Sequence, residues 1–323
     1  MTLSTGTPPR GTTPPGRLAR AGSEGGACGA VAAPADRARP ALDVVVRDID
    51  GPREMAACVE LYHDVMGLRP DDGSLNPRLL IAIQANSGIV VGAYAGQELV
   101  GFAFSFLARD ASPPNAAGRD GVGRLYQYSQ LAVVARPYQS RGIGRLLKLA
   151  QRSRCLASGT TLMRWAFDPL RTRNAHVNLD VLGGRVTSLV PAMYGTGGFG
   201  DDTGESTDRF VVTWELTGPA LPPRAQAPAF AGTPARPGEA YADGADRLVV
   251  LPDAWQQHRE EVGAERAAQL RANLRSTFAE LLRDHAAVSC TRVGAGLAAY
   301  RFRPHTAAGD RAGPAAEPHP GGC

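Results

Sequence analysis

A mixed α/β layer, with helices covering a sheet, is the architecture expected of this chain. Three observations point to it. Short runs of β-branched and aromatic residues recur between residues 42 and 216, apolar stripes with helical spacing fall between them, and glycine and proline gather largely outside that stretch. The chain has 323 residues, which suits one or two domains. It holds 38 glycines and 25 prolines, and about half of them lie within 1–40, 217–246 and 304–323. Those segments offer too little apolar surface to offset the entropy of ordering. The expected organisation is therefore a disordered tail at 1–40, a folded domain at 41–217, a Pro/Ala-rich linker at 218–246, a helical extension at 247–303 and a disordered tail at 304–323.

Each element has its own warrant. Residues 42–49 hold Val44-Val45-Val46 and read as a strand. Asp50-Gly51-Pro52 supplies an N-cap and a first-turn proline for a helix whose stripe runs through Met55, Cys58, Val59, Tyr62, Val65 and Met66. Residues 88–94 and 99–107 form a hairpin pattern around Ala95-Gly96-Gln97-Glu98. A polar loop at 110–123 contains Pro113-Pro114, and a fourth strand follows at 125–134. The next helix runs to about residue 157, with Ile143, Leu146, Leu147 and Ala150 on its apolar side and Arg145, Lys148 and Arg152 sharing another. Strands at 162–167, 186–190 and 210–216 and a short helix at 174–182, ended by Gly183-Gly184, complete the domain. Beyond the linker, Asp253 is placed to cap a long helix over 255–285 with the stripe Ala267, Leu270, Leu274, Phe278, Leu281 and Leu282. One helix cannot bury its own stripe. It and a short strand at 297–302 are expected to pack on the first domain or on a second copy of the chain, as a homodimer.

Composition sets several classes aside. No apolar run approaches the roughly 18 residues of a membrane-spanning helix, and the N-terminus lacks the apolar core of a signal peptide, so a cytoplasmic protein without a membrane partner is expected. The five cysteines, Cys28, Cys58, Cys155, Cys290 and Cys323, are odd in number and form no CxxC pair, and the six histidines show no ligand spacing. Neither a disulfide framework nor a metal site is expected. The net charge of +4 implies no polyanionic partner. By position it says more: residues 121–167 hold Arg124, Arg136, Arg141, Arg145, Lys148, Arg152, Arg154 and Arg164 and no acid. That window suits an anionic ligand. Aromatic residues are scarcely interleaved with these cations, so no nucleic acid is expected.

The most specific local signal is Gln139-Ser140-Arg141-Gly142-Ile143-Gly144 between a strand and a helix. Glycines let main-chain N–H groups face outward, and the helix beginning there adds the positive end of its dipole, so the segment suits phosphate oxygens. Arg141 and Arg145 can add charge-assisted bonds. The segment lacks the GxxxxGK[ST] pattern of nucleoside triphosphatases and the third glycine of a dinucleotide fingerprint.

Strand, this segment, then helix resembles the acyl-CoA pyrophosphate loop of the GNAT N-acyltransferase superfamily. Trp165-Ala166-Phe167-Asp168-Pro169-Leu170, then Arg173-Asn174-Ala175 and Asn178, then Leu182-Gly183, Met193-Tyr194-Gly195 and Asp208-Arg209 are similar to a branch of that superfamily in which a C-terminal extension like 247–303 also occurs. The resemblance covers most of the chain. It implies an α/β (α+β) GNAT-like fold with a mixed, mostly antiparallel sheet flanked by helices, plus the helical C-terminal extension. It also implies an enzyme that moves an acetyl or other short acyl group from acetyl-CoA or another acyl-CoA to the amine of a small molecule or amino acid. Succinyl-CoA is an alternative donor, and a CoA-binding module without catalysis is an alternative function.

Carried onto this chain, the resemblance implies that the backbone of Leu131, Ala132 and Val133 pairs with the pantetheine arm, one N–H there holding the thioester oxyanion. Gln139, Ser140, Arg141, Gly142, Ile143 and Gly144 would hold the diphosphate, and Asn174 would hydrogen-bond the pantetheine. The Arg145, Lys148 and Arg152 face would be solvated or touch a 3′-phosphate. Two features depart from the family pattern. Strand four offers Tyr126, Gln127, Tyr128, Ser129 and Gln130 where many members place a carboxylate base, and Leu179 stands where many place a tyrosine acid. The catalytic candidates are therefore Tyr194, His176 and Tyr128, with Asn178 as a further polar participant. Asp168-Pro169 reads as a turn. A triad of Ser129, His176 and Asp168 is disfavoured because no G-x-S-x-G elbow exists.

Overall fold

Val44-Val45-Val46 opens the described chain as β1 (Val44–Asp48), as β-branching favours. The computed structural model describes residues 43–69, 71, 73–110, 123–195, 206–218 and 235–305. The expected disordered tail at 1–40, residues 306–323 of the other, Pro113-Pro114, Cys28, Cys323 and most of the 218–246 linker lie outside them, whereas Pro304 ends a strand and the His305 N–H donates to Asp284 O at 2.9 Å. Pro52 sits in the first turn of α1 (Gly51–Met66), but Asp50 makes no side-chain cap. Its N–H donates instead to Glu54 Oε2 at 2.8 Å, a side chain in the first turn of the helix. An additional helix comes next, one that the sequence pattern did not announce: α2 (Pro77–Ala85), capped by Asn76, whose side chain accepts from the Leu79 N–H at 3.0 Å.

The hairpin β2 (Ile89–Ala95) and β3 (Glu98–Arg109) turns at Gly96, which is left-handed at φ +62°. Then come β4 (Leu125–Val134), a 3-10 turn at Arg136–Tyr138, α3 (Ile143–Ala157) and β5 (Leu162–Phe167), within a residue or two of their expected places. The short helix begins two residues early as α4 (Thr172–His176) and continues as a π turn, Val177–Val181, before β6 (Arg185–Val190) and β7 (Arg209–Glu215).

The C-terminal region corrects the expectation of a helical extension. Gly263, at φ +86°, divides the expected single helix into α5 (Trp255–Val262) and α6 (Ala264–Leu281). Four strands surround the pair: β8 (Ala240–Asp243), β9 (Asp246–Pro252), β10 (His285–Gly294) and β11 (Leu297–Pro304). Two tight turns explain them. Gly244-Ala245 joins β8 to β9 and Ala295-Gly296 joins β10 to β11, with Gly244, Ala295 and Gly296 all left-handed.

Among the described residues the strands form one sheet in the order β1-β2-β3-β4-β5-β7-β6-β10-β11-β9-β8. Every pairing is antiparallel except β4 with β5, which α3 joins as a crossover. The mixed, mostly antiparallel sheet flanked by helices is thus present. One core holds Met55, Cys58, Leu80, Phe102 and Phe104, from α1, α2 and one face of the sheet. The other gathers Ile143 and Leu147 of α3, Ala175 of α4, Leu274 and Phe278 of α6 and the opposite face. The α6 stripe therefore packs on this chain's own sheet, where Phe278 meets Phe210 at 4.9 Å and Tyr300 at 5.5 Å between ring centroids. Cys58, Cys155 and Cys290 are free and buried, and burial pushes the first two thiols up to about 12. No helix among the described residues is long and apolar enough to cross a membrane.

Candidate functional site

Two parallel strands that part company create the site. β4 pairs with β5 only at Gln127↔Met163 and Tyr128↔Arg164. Past that point β4 keeps β3 as its partner through Leu131, Ala132, Val133 and Val134, while β5 keeps β7 through Trp165, Ala166 and Phe167. The strand edges facing one another across this fork carry no ladder bonds among the described residues. Edge groups of this kind can pair with an extended ligand.

A bulge sits at the crotch of the fork. Phe104 pairs with Leu131 and Ser105 with Ser129, so Gln130 is an extra residue in β4. The insertion reverses the facing of the β4 residues beyond it. Ser129 reaches α3 on one face, whereas Leu131 and Val133 pack with α1 and α2 on the other.

The loop between β4 and α3 lies at the carboxyl end of these parallel strands, where open α/β sheets bind ligands. Gln139 fixes its entry, its side-chain amide donating to Val134 O at 2.9 Å. Ser140 and Gly142 are both left-handed, at φ +61° and +82°. For Ser140 this conformation is strained, and such strain concentrates at functional sites. The first helical bond is Leu146 N–H to Gly142 O at 3.1 Å. Among the described residues no main-chain carbonyl receives the amides of Ser140, Arg141, Gly142, Ile143, Gly144 or Arg145. A Cβ on Gly142 or Gly144 would meet nothing within 4 Å, so open space lies before them. Gly101 of β3 seats the helix start: a Cβ there would come within 2.9 Å of Val133 O and 3.3 Å of Ile143 Cγ2. Arg173 of α4 closes the rim, donating to Ser140 Oγ at 3.1 Å.

The remaining expected residues fall into two places. Tyr128 and Tyr194 come together beside the fork. Burial, and next the neighbouring Tyr194 phenol, pushes the Tyr128 hydroxyl far above its usual range. Arg209 lies 5.4 Å from the Tyr194 ring centroid, and Phe106 lies 5.4 Å from the Tyr128 ring. His176 is elsewhere. Its Nδ1 is 3.0 Å from Asp180 Oδ2 and 3.2 Å from Cys290 O, and Asp180 in turn accepts from Ser289 Oγ at 2.6 Å and from the Cys290 N–H at 2.9 Å. His176 thus borders a cleft of about 350 Å³ against β10, shared with Thr172, Arg173, Asp253, Thr291 and Arg292. Asn174 is exposed, and buried Asn178 donates toward it at 3.5 Å. Asp168 accepts from the Leu170 N–H at 2.9 Å, the geometry of a turn, and burial raises its carboxyl pKa.

The basic window is less free than its composition suggests. Arg124 pairs with Glu215 at 2.8 Å, Arg154 with Asp48 and Arg164 with Asp110, all acids from outside the window. Arg152 donates to Leu216 O at 2.9 Å. Lys148 departs furthest from the solvated face expected of it. Its ammonium is buried, donating to Ser129 Oγ at 2.7 Å. Around the loop itself Arg141 and Arg145 form no ion pair among the described residues; Arg141 lies 5.8 Å from the Tyr138 ring. No group of His, Cys, Asp and Glu able to hold a metal gathers among the described residues.

Sequence reasoning missed the bulge, the buried lysine and the Arg173 bridge. Only the last left a signal, as an arginine directly before Asn174 at the start of a helix.

No family model and no curated protein matches the chain. Among solved structures it is similar to an acetyltransferase of the GNAT family from Streptococcus pneumoniae, 14% identical over 54% of this chain and 99% of that one, with a TM-score of 0.38. It is also similar to Arabidopsis thaliana NAA60 in complex with acetyl-CoA, 12% identical over 53% and 99%, with a TM-score of 0.42. A third is aminoglycoside 6′-acetyltransferase type Ii, 14% identical over 55% and 98%, with a TM-score of 0.38.

Proposed function

We propose that this chain is an acyl-CoA-dependent N-acyltransferase of the GNAT type. The observation that carries the reading is the row of main-chain amides from Ser140 to Arg145 that no main-chain carbonyl receives among the described residues, set at the end of a strand whose edge toward β5 is unpaired past Tyr128. A diphosphate needs several donors within a small arc, and left-handed Ser140 and Gly142 beside a helix start supply them. Arg141, Arg145 and Arg173 would add charge, and Asn174 would reach the pantetheine. The edge of β4 from Leu131 to Val133 would pair with the amides of the pantetheine arm as an added strand does. That placement brings the thioester to the fork, where a free β4 N–H can stabilise the oxyanion.

The reaction is attack of a neutral amine on the thioester carbonyl, with the thiolate leaving. A thiol of pKa near 8.5 needs little help to depart. Tyr128 and Tyr194 come together beside the fork, where they can orient the amine. A phenol pushed so far up is not a base near neutrality, so Tyr128 serves as a hydrogen-bond donor. His176, held against β10, would act on the cleft it borders rather than at the tyrosines.

Titration calorimetry with acetyl-CoA and succinyl-CoA tests the reading, and a free-thiol assay with a panel of amino acids and small amines tests turnover. Saturable binding of either thioester, with thiol release that depends on the amine, is expected. No heat with either ligand contradicts it. Binding without release would favour a CoA-binding module, a reading supported by the lack of a carboxylate on β4.

A further inference from the structure

Lys148 is the only lysine in the chain, and it lies inside the protein at 8% exposure. Its ammonium donates to Ser129 Oγ at 2.7 Å and stands 4.1 Å from the Trp165 ring centroid. Ser129, 3% exposed, donates onward to Gln151 Oε1 at 2.9 Å. The groups facing the ammonium are thus Ser129 from β4, Trp165 from β5, and Gln151 and Cys155 from its own helix. No carboxylate pairs with it among the described residues. Burying an ammonium without a counter-charge is costly, and such groups are found where a proton must move. Ser129 directly precedes the bulged Gln130, at the point where β4 leaves β5. The Gln151 Nε2 and Trp165 Nε1 groups beside it are buried without partners, so polar capacity there is left open.

We propose that Lys148, acting through Ser129, takes the proton of the attacking amine at the fork. The role rests on the acyltransfer reading above, and it fills the place of the carboxylate that β4 lacks. Loss of water around the ammonium pulls Lys148 down to about 7, so above that pH it starts the reaction neutral. As the amine nitrogen bonds to the acyl carbon, its proton passes to Ser129 Oγ, while the Ser129 hydroxyl, turned from Gln151 Oε1 to the neutral Lys148 Nζ, gives its own proton to that nitrogen. The carbon–sulfur bond breaks with its electron pair on sulfur, and the proton stored on Lys148 returns by the same route to the thiolate. The products are amide and thiol, and Lys148 is neutral again.

The single lysine makes a direct test available. In full-length protein labelled with 13C at lysine Cε, one side-chain resonance is expected, with a titration midpoint near 7 that moves when acetyl-CoA binds. A midpoint near the ordinary 10.5 overturns the proposal. Lys148→Met and Lys148→Arg should remain folded by thermal melting and bind acetyl-CoA within about twofold of the parent. Their kcat should fall about 10²–10⁴-fold, since neither side chain can cycle a proton, and the acid limb near pH 7 should vanish while KM for acetyl-CoA changes little. Turnover with an unchanged pH profile in Lys148→Met overturns the lysine role alone. A parent protein that neither binds nor turns over acyl-CoA overturns that role together with the acyltransfer reading.

Discussion

Moving one ammonium from water to the space between Trp165 and Ser129 withholds a proton from the folded state. Lys148 titrates near 7 when folded and near its ordinary 10.5 when unfolded. Between those values the unfolded chain binds a proton that the folded one does not, so stability rises with pH across that window. The penalty is full below pH 7 and gone above about 10.5. Lys148→Met should therefore stabilise the fold by a few kcal/mol at pH 6, with the gain shrinking toward pH 10 in urea denaturation; an equal gain at both pH values would contradict the buried, unpaired ammonium. The sequence could not show this burial. Offsets of 0, 3 and 7 put Arg145, Lys148 and Arg152 in one row, but a row has no depth until the strands beneath it are known. The charge window misled in the same way, because Asp48, Asp110 and Glu215 reach it from elsewhere in the chain.

The loop with its helix is the element on which binding turns. At Gly142 a side chain meets no atoms, yet φ +82° strains any residue but glycine, and a Cβ would stand where ligand oxygens approach. Gly142→Ala should weaken acetyl-CoA binding about tenfold or more while costing about 1 kcal/mol of stability, read by calorimetry and melting. Arg173→Ala should cost about 1.5–3 kcal/mol of binding, the worth of a charged hydrogen bond, and leave the melting temperature nearly unchanged. Elements with one clear period were legible: α1, the β2–β3 hairpin and α3 lie close to where their stripes and turns put them. The α2 run Leu79-Leu80-Ile81-Ala82-Ile83 is apolar throughout, so period could not separate helix from strand, and only Asn76-Pro77 marked its start. A bulge such as Gln130 leaves no pattern, since it is defined by the partner strand.

Across the whole molecule, the C-terminal strands finish a sheet that the first seven begin. Among the described residues one ladder pair, Ala287↔Val186, joins β10 to β6, and across the same junction Phe210 meets Phe278 and Tyr300 while Asp180 accepts from Ser289 and Cys290. Phe278→Ala should cost about 3–5 kcal/mol, seen as a lower urea midpoint. A loss confined to the C-terminal strands, with β1–β7 unaffected, would contradict their sharing one core. The long-range pairing explains why 247–303 looks helical from its sequence: the α6 stripe is strong locally, whereas strands such as β9 and β10 declare themselves only through partners far along the chain.

The most direct measurement is a crystal structure grown with CoA. Diphosphate oxygens should lie within about 3 Å of the amides between Ser140 and Gly144, with the pantetheine arm paired along Leu131 to Val133. Density for the ligand elsewhere, or those amides bonded to protein carbonyls with the fork closed, would contradict the assignment.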